Sequence, residues 1–410
     1  MKSDLDHLMA ARELDAVVVS GAVHGNPAMY YLTNGAGLTR GTVVKKRGAE
    51  PLLIAAPMER EEALHAGMAV KLTTEYDYVG LLQAHQGEQL ATDVAYYQRI
   101  FADQGIAGRV GFYGMADQGR AFVFLRALQA ALPSLEVVGE YDTDLLTEAR
   151  ATKDAAEVAR IREVGRRTVA IVAETVAFLQ QHTAGHDETL RRADGSVLNV
   201  GDVHAHIRRL IALQGLEDPH GFTFSTGRDA GIPHSKGTLT RPMRLGESIV
   251  FDIFLCEAGG GYFFDMTRTF CLGYAPEAVA RIHNDVRECI QQINAAVAVG
   301  EEARAYQRMT CDFFRERGHP TVADYPNTLE GYVHTVSHGL GLQVHEAPTF
   351  RDVASNTARL QPGHVFTVEP GLYYPDEGMG CRLEDVLWIA DNGQVHNLTE
   401  YPYELLIPLD

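Results

Sequence analysis

The stretch FDIFLCEAGGGYFFDMTRTF, residues 251–270, constrains the fold most strongly, because it sets two acidic residues within runs of apolar ones. The runs flank three consecutive glycines and predict a β-hairpin with strands over 249–254 and 263–270. In the simplest register Asp252 and Asp265 are direct cross-strand neighbours on one face of that hairpin. Two carboxylates so placed repel each other, and a cation between them would turn the repulsion into coordination. A solvated hairpin end is the alternative interpretation.

Three later segments contain further residues of the kind that bind divalent cations. VHTVSHGLGLQVHEAP carries three histidines, HVFTVEPGLYY predicts a strand that ends at Glu369, and GCRLEDVLWI predicts a strand with Arg382 and Glu384 on one face. The three histidines are His334, His338 and His345. Each segment alone is weak evidence, since a histidine beside glycines is more often structural. Two Asp, one His and two Glu together are an oxygen-rich set that favours a pair of Mn²⁺, Co²⁺ or Zn²⁺ ions over a thiolate site.

Composition excludes several classes of protein. The 410 residues are 46% hydrophobic and 22% charged, which is typical of a globular chain with two or three domains. A net charge of -18 argues against nonspecific binding to nucleic acid or to an anionic membrane, both of which need basic surface. The acidic N-terminus and the lack of a long apolar run predict neither export nor membrane anchoring. Five cysteines without a CxxC pair favour a reducing cytoplasm over a disulfide framework.

The hydrophobic pattern predicts two domains, over 1–150 and 151–410. The first alternates strand-like and helix-like segments, as an α/β domain does, and it contains no GxGxxG after the strand DAVVVSG that would indicate a nucleotide site. The stretch EARATKDAAEVARIREVGRRTVAIVAETVAFLQ then predicts a long amphipathic helix just after the boundary. Its apolar face comprises Val158, Ile161, Val164, Thr168, Val172 and Leu179.

The order of these motifs resembles the M24 metallopeptidases of the pita-bread fold, in their Xaa-Pro dipeptidase (prolidase) and Xaa-Pro aminopeptidase branch. The matching motifs are the two aspartates with DMTRT, then SHGLGLQVHE, VEPGLYY and RLED, and GIPHSKG matches the family's Pro-His motif at His234. The resemblance extends from about residue 150 to the C-terminus, and the preceding part is similar in length and pattern to the family's N-terminal domain. It implies an α+β chain in which a creatinase-like α/β domain precedes a pita-bread catalytic domain.

Carried over position by position, the resemblance implies a centre of two divalent metal ions, with Mn²⁺ as the first expectation and Co²⁺ or Zn²⁺ as alternatives. Asp252 would bind one ion, and Asp265 with Glu384 would bridge both. His338 and Glu369 would complete the second.

The resemblance also implies which groups act on the substrate. Glu369 would accept the proton, His345 would stabilise the tetrahedral oxyanion, and His234 would lie near the scissile nitrogen. His334 and Arg382 are counted with the substrate-binding residues. The implied activity is hydrolysis of the bond before proline in Xaa-Pro dipeptides by a cytoplasmic homodimer.

Two departures from the family pattern leave the subtype open. The interval from Asp252 to Asp265 is longer than the family usually shows, and Thr349 stands where several prolidases carry an arginine that binds the substrate carboxylate. An Xaa-Pro aminopeptidase that acts on longer peptides is therefore an alternative. A creatinase-like C–N hydrolase and a non-catalytic binding protein are two more, although both usually lose metal ligands that this chain retains.

Overall fold

The computed structural model describes residues 4–409, and these divide into two compact units. The first unit comprises the described residues up to Arg150 together with 259–261, and the second comprises 151–258 and the chain from Tyr262 onward. Each unit has its own sheets and helices and is described by itself. Among residues 4–409, no helix combines the length and the apolar character needed to cross a bilayer. All five cysteines are buried and none is in a disulfide.

The first unit is built on one six-stranded sheet. Its strands are β1 (Ala16–Gly21), β2 (Gly41–Lys46), β3 (Leu52–Ala55), β4 (Ala69–Leu72), β5 (Gly108–Tyr113) and β6 (Leu135–Val138), in the order β4-β3-β2-β1-β5-β6. Its helices are α1 (Leu5–Ala11), α2 (Pro27–Thr33), α3 (Arg60–Leu64), α4 (Tyr78–Ala84), α5 (Gln89–Gln104), α6 (Gln118–Ala131) and α7 (Leu145–Ala151), the last at the boundary. β2 is antiparallel to both its neighbours, and the other adjacent pairs are parallel. The predicted alternation of strands and helices is confirmed.

The strand DAVVVSG forms the middle of this sheet because its side chains are apolar on both faces. Residues 16–19 of β1 are all buried, as expected for a strand covered by helices on each side. The parallel neighbour β5 runs in the same direction, so the carboxyl ends of β1 and β5 meet at one edge of the sheet. The chain moves from β1 towards β4 on one side and continues with β5 on the other, which makes this edge a topological switch point.

The second unit combines four helices with several small sheets. The helices are α8 (Ala155–Gln180), α9 (Val200–Leu213), α10 (Glu277–Ala296) and α11 (Ala303–Glu316). The strands are β7 (Thr183–Ala184), β8 (Leu190–Arg191), β9 (Leu216–Glu217), β10 (Thr223–Thr226), β11 (Ser248–Glu257), β12 (Phe263–Leu272), β13 (His338–Gly339), β14 (Glu346–Thr349), β15 (Val365–Val368), β16 (Gly371–Tyr374), β17 (Met379–Arg382), β18 (Asp385–Ile389), β19 (Val395–Asn397) and β20 (Leu406–Ile407). One sheet has the order β10-β11-β12-β20 with β9 beside β11, a second has the order β14-β13-β15-β18-β19, and β16-β17 and β7-β8 form separate pairs.

The long helix predicted after residue 150 is confirmed as α8. The side chain of Asp154 accepts hydrogen bonds from the backbone N–H groups of Ala156 and Glu157, which satisfies donors that the first turn leaves free. All six residues of the predicted apolar face are buried. The helix packs tightly against β12, since a Cβ on Gly165 would lie 2.5 Å from the ring of Phe264.

The register of the hairpin formed by β11 and β12 differs from the prediction. Asp252 lies opposite Thr267 and Asp265 lies opposite Phe254, so the predicted direct pairing of the two aspartates is wrong by two residues. Both side chains still point to one face, because they are diagonal neighbours in the ladder. Diagonal partners lie about 7–8 Å apart, which leaves more room between the carboxylates than direct pairing does.

The physical reason for this register is the length of the turn. Pairing continues to Glu257, whose N–H donates to the carbonyl oxygen of Tyr262 at 3.2 Å, so the strands are joined by residues 258–261. Gly259 and Gly260 have φ values of 86° and 79°, which residues with a Cβ rarely adopt. The glycines are therefore required by the turn.

Candidate metal centre

Four strands or strand ends of the second unit bring acidic side chains to one buried place. One ligand atom from each of Asp265, His338 and Glu384 lies within 4.8 Å of the other two. Nε2 of His338 is 3.8 Å from Oδ2 of Asp265 and 3.2 Å from Oε1 of Glu369. Asp252 shares the hairpin face with Asp265. The five predicted ligands therefore come from the neighbourhood of β11, β12, β13, the end of β15 and the segment after β17.

Asp252 is held from one side by a buried arginine. Nη2 of Arg382 donates to Oδ2 of Asp252 at 2.5 Å, and Nη1 donates to the hydroxyl of Tyr373 at 2.7 Å. Oδ1 of Asp252 is buried and has no hydrogen-bond partner within the described part of the chain, and the same holds for Oδ1 of Asp265. Two buried carboxylate oxygens on one face of a hairpin thus lack a donor.

Glu384 is connected to Arg382 through the hydroxyl of Thr267. Arg382 is the last residue of β17, and β18 begins at Asp385, so the predicted single strand carrying Arg382 and Glu384 is wrong. Glu384 instead forms a bridge with Thr267 of β12, whose hydroxyl accepts from Nε of Arg382 at 3.1 Å and donates to Oε2 of Glu384 at 2.7 Å. The strand breaks because Glu384 leaves the β16–β17 pair to join the hairpin.

His338 is oriented by its own backbone. Its Nδ1 lies 3.1 Å from the carbonyl oxygen of Gly339, so an Nδ1–H can donate there and leave Nε2 free to face the carboxylates. Gly339 has no room for a side chain, since a Cβ would lie 2.1 Å from the carbonyl oxygen of Ala347. The glycine beside His338 is thus explained by the close approach of β14 to β13.

The electrostatics of the centre show an excess of negative charge. Burial and the neighbouring Asp252 carboxylate raise the pKa of Asp265 well above its usual value, and burial with the Asp265 carboxylate does the same to the pKa of Glu384. Burial also acts to raise the pKa of Glu369, but the hydrogen bond and charge of His338 outweigh it and lower that pKa to about 2. Burial opposes the charged form of His338, yet Glu369 raises the pKa of His338 to about 9. The cluster therefore favours additional positive charge.

The other predicted histidines near this cluster differ in exposure and in hydrogen bonding. His345 is exposed, and its ring centroid is 4.4 Å from that of His338. His234 is exposed and is close enough to influence the charge of both His334 and His345. Both nitrogens of His334 are engaged, since Nδ1 lies 2.9 Å from the Thr335 carbonyl oxygen and Nε2 lies 2.9 Å from the Tyr373 hydroxyl.

Three residues that support this region were not predicted from the sequence. Tyr373 links His334 to Arg382, and its position two residues after the Pro-Gly of VEPGLYY was the available signal.

Lys153 and Glu346 form an ion pair of 3.1 Å with both side chains only 1% exposed. Oε1 of Glu346 accepts from the N–H groups of Leu342 and Gln343, which holds the turn before His345. Nothing in the local pattern around Lys153 indicates a partner 193 positions away.

The residues present fit a pair of divalent cations. The donor set is four carboxylates and one imidazole, which suits Mn²⁺, Co²⁺ or Zn²⁺. The buried oxygens of Asp252 and Asp265 that lack donors are the atoms that a cation would satisfy. The raised pKa values of Asp265 and Glu384 also favour a cation, because both groups lack the positive charge that would stabilise them as carboxylates.

Comparison with known proteins identifies the class to which this centre belongs. Residues 159–391 match the model of metallopeptidase family M24, and the chain therefore belongs to that family. Peptidases of the family depend on two metal ions. The match includes all five clustered side chains as well as His234 and His345.

Individual relatives agree with this assignment. The chain is 30% identical over 274 residues to a protein of Mycobacterium tuberculosis named "Probable dipeptidase PepE", covering 67% of this chain and 65% of that protein. It is 31% identical over 206 residues to an Xaa-Pro dipeptidase of Pyrococcus furiosus, covering 50% and 55% of the two chains. The chain thus aligns with less than two thirds of the length of these relatives. The solved structure of an Xaa-Pro dipeptidase from Bacillus anthracis superposes with a TM-score of 0.76 at 20% identity over 99% of both chains, which confirms the pita-bread fold.

Proposed function

We propose that this protein is a dinuclear-metal exopeptidase that hydrolyses the peptide bond before proline, acting as an Xaa-Pro dipeptidase. Membership of family M24 supports a metallopeptidase. The names of the relatives, dipeptidase and Xaa-Pro dipeptidase, support the substrate class. The observation that carries the proposal is the pair of buried oxygens on Asp252 and Asp265 that have no hydrogen-bond donor and lie beside His338, Glu369 and Glu384.

Asp252, Asp265 and Glu384 would hold one ion, and Asp265, Glu384, His338 and Glu369 would hold the other. When bound, the ions would supply hydroxide at neutral pH and polarise the carbonyl group before proline. His338 must be neutral to bind an ion. Glu369 raises the pKa of His338, and cationic charge beside Glu369 would counteract that effect.

The remaining chemistry falls to Glu369 within the centre and to two histidines beside it. Glu369 would accept the proton released during attack and return it to the leaving nitrogen. Partial desolvation, with His338 nearby, lowers the pKa of His345, so its ring is neutral at pH 7 and can donate one hydrogen bond to the oxyanion. His234, which is exposed and close enough to His345 to influence its charge, would meet the proline end of the substrate.

We infer that His334 and Arg382 position other groups and do not contact the substrate. Arg382 donates to Asp252, Tyr373 and Thr267, and also to the Pro233 carbonyl oxygen at 3.3 Å, so four hydrogen bonds already occupy the guanidinium. His334 has neither ring nitrogen free. Arg382 would hold the side of Asp252 that does not face an ion. Through Thr267 it would orient Glu384 in the same way.

The metal, the compartment and the oligomeric state complete the proposed setting. Mn²⁺ is proposed as the metal because an oxygen-rich set with a single imidazole suits it. A reducing cytoplasm is supported by five cysteines that are buried and unpaired. A homodimer follows from the family resemblance alone, and sedimentation velocity at the concentration used for assays tests it.

A substrate panel with metal-depleted and Mn²⁺-reconstituted protein tests the activity. Ala-Pro should be cleaved only after reconstitution, and much faster than either Ala-Pro-Ala or Ala-Ala. Asp265→Asn should abolish both Mn²⁺ binding and cleavage, whereas Asp391→Asn, at an exposed position of the same unit, should change neither. Faster cleavage of Ala-Pro-Ala than of Ala-Pro would reassign the protein to the aminopeptidases, and full activity without metal would refute the centre itself.

A further inference from the structure

The first unit contains a large cavity to which the peptidase chemistry assigns no role. Its volume is about 630 Å³, within the range of pockets that take small organic ligands. The wall includes Gly21 at the end of β1 and Gly114 directly after β5, so the cavity opens at the switch point of the sheet. A Cβ on Gly114 would lie 2.7 Å from the Ser20 carbonyl oxygen, so the two strand ends approach closely there. Open α/β sheets bind ligands in a crevice of this kind.

One side of the cavity is aromatic. Tyr96, Tyr97 and Phe124 line it, and neighbouring rings meet edge to face, with centroids 5.9 Å apart for Tyr96 and Tyr97 and 5.0 Å apart for Tyr97 and Phe124. Such a wall suits a flat ring of a ligand.

The hydroxyl of Tyr96 is the polar group of this wall that lacks a partner. The residue is only 6% exposed, and its hydroxyl forms no hydrogen bond within residues 4–409. Burial raises the pKa of Tyr96, so the hydroxyl stays protonated and can donate a hydrogen bond. The hydroxyl is not fully enclosed by protein atoms, so a ligand in the cavity can reach it.

The rim of the cavity carries an arginine that no acid neutralises. Asp93 accepts from the Tyr78 hydroxyl at 2.9 Å and pairs with Arg120 at 3.3 Å, so the negative charge of Asp93 is already compensated. Arg40 also lines the cavity and forms no hydrogen bond or ion pair with any other described residue. Asp117 lines the cavity as well, but it caps α6 by accepting from the Arg120 N–H at 2.7 Å, so Arg40 is the arginine of the lining that has no partner among residues 4–409.

We propose that this cavity is a binding site for a small organic anion that carries a flat ring. Arg40 binds the anionic group, Tyr96 donates a hydrogen bond to the ligand, and Tyr97 with Phe124 contacts the ring. The shared chemistry fits an aromatic carboxylate or a nucleoside monophosphate. The lining residues all belong to the first unit and the metal-centre residues to the second, so the proposal does not depend on the peptidase assignment.

Isothermal titration of the full chain with indole-3-acetate and with adenosine 5′-monophosphate tests the proposal and separates the two sources of the anion. Binding of either probe supports it, with the stronger probe identifying the anionic group. Arg40→Gln should weaken binding about tenfold or more, as expected for loss of a charged hydrogen bond, and Tyr96→Phe should weaken it about threefold to tenfold. Arg60→Gln, at an arginine of the same unit with a side chain 68% exposed and outside the cavity, should leave binding unchanged.

Two further readouts separate binding in the cavity from binding at the metal centre. Glu384→Ala should retain the affinity for the probe, because that change lies at the metal centre. Arg40→Gln should leave kcat/KM for Ala-Pro unchanged. The proposal is overturned if neither probe binds, if Arg40→Gln and Arg60→Gln bind equally, or if binding disappears in Glu384→Ala.

Discussion

The metal centre of the second unit and the cavity of the first unit differ in the charge of the polar groups that have no partner among the described residues. In the centre, four carboxylates crowd around one imidazole and one arginine, and two aspartate oxygens remain without donors. In the cavity, Arg40 and the Tyr96 hydroxyl, which have no partner within residues 4–409, lie among aromatic side chains of the lining. The first arrangement calls for cations and the second for an anion with a ring. In both proposals, the groups without a partner indicate the sign of the charge that a ligand would carry.

Among the variants that test this comparison, Glu384→Ala should have the largest effect on metal binding and activity. Loss of a carboxylate assigned to both ions should remove metal binding and lower kcat/KM for Ala-Pro by on the order of 10⁴-fold, as for removal of a central catalytic group. Metal content by atomic emission and turnover should fall together. Probe binding in the first unit should persist. A variant that retains two ions per chain with normal turnover would exclude Glu384 from the centre.

The two regions also differ in how far the sequence predicts them. The ligands could be found because each stands in a short pattern with its own signal, such as an acid within an apolar strand or a glutamate before Pro-Gly. The register could not, since the length of the turn at Gly259 and Gly260 fixes it and both registers place the aspartates on one face.

Long-range partners escape sequence reasoning for a related reason. Arg40 lies directly before β2, Tyr96 on α5 and Phe124 on α6, and only the order of strands in the sheet brings them to one cavity. The pairing of Lys153 with Glu346 joins positions equally remote in the chain. The interruption between Arg382 and Glu384 likewise depends on the bridge to Thr267.

A second prediction concerns the buried ion pair near His345. Lys153→Met leaves the Glu346 carboxylate buried without its cation, which should cost about 3–5 kcal/mol of unfolding free energy. Denaturant unfolding followed by fluorescence measures this in the second unit, because Trp388 is the chain's single tryptophan. Lys153→Met combined with Glu346→Gln should recover part of the loss, since the amide oxygen can still accept from Leu342 and Gln343.

The matched control for that change is the exposed pair of Arg166 and Glu163 on α8. Their side chains are 67% and 43% exposed, so Arg166→Met should not alter stability measurably. Equal stability of Lys153→Met and Arg166→Met would contradict the view that the second unit depends on compensated buried charge.

A third prediction tests the arrangement behind the ligands. Thr267→Val keeps the volume but removes the hydroxyl that connects Arg382 to Glu384. Metal affinity should fall about 10–100-fold, the range expected for groups that orient ligands. If excess Mn²⁺ restores kcat to the wild-type value, the threonine acts through metal binding. Unchanged affinity would mean that Glu384 is oriented without it.

The smallest effect concerns acid stability and the buried histidines outside the centre. Burial, with the nearby cation Arg287, lowers the pKa of His283 to about 4, and burial with Lys153 lowers the pKa of His364 to about 4.

An unfolded histidine titrates near 6.5, so below that pH the unfolded chain binds a proton that the native chain does not. Each histidine should therefore reduce the free energy of unfolding as pH falls from 6.5 towards 4, by about 1 kcal/mol between pH 6 and pH 5. At pH values well above 6.5 neither histidine contributes to the dependence.

The measurement is the pH dependence of denaturant unfolding in wild type and in His283→Gln, followed through Trp388. The variant should lose about 1 kcal/mol less than wild type between pH 6 and pH 5. His65→Gln serves as the control from the first unit, because that side chain is 71% exposed and should leave the slope as in wild type. Since Nε2 of His283 is buried without a partner among the described residues, protonation there has no acceptor to offset it. Identical slopes for His283→Gln and wild type would show that His283 gains its proton in the native state. The second unit would then tolerate an uncompensated buried positive charge, as it tolerates excess negative charge at the metal centre.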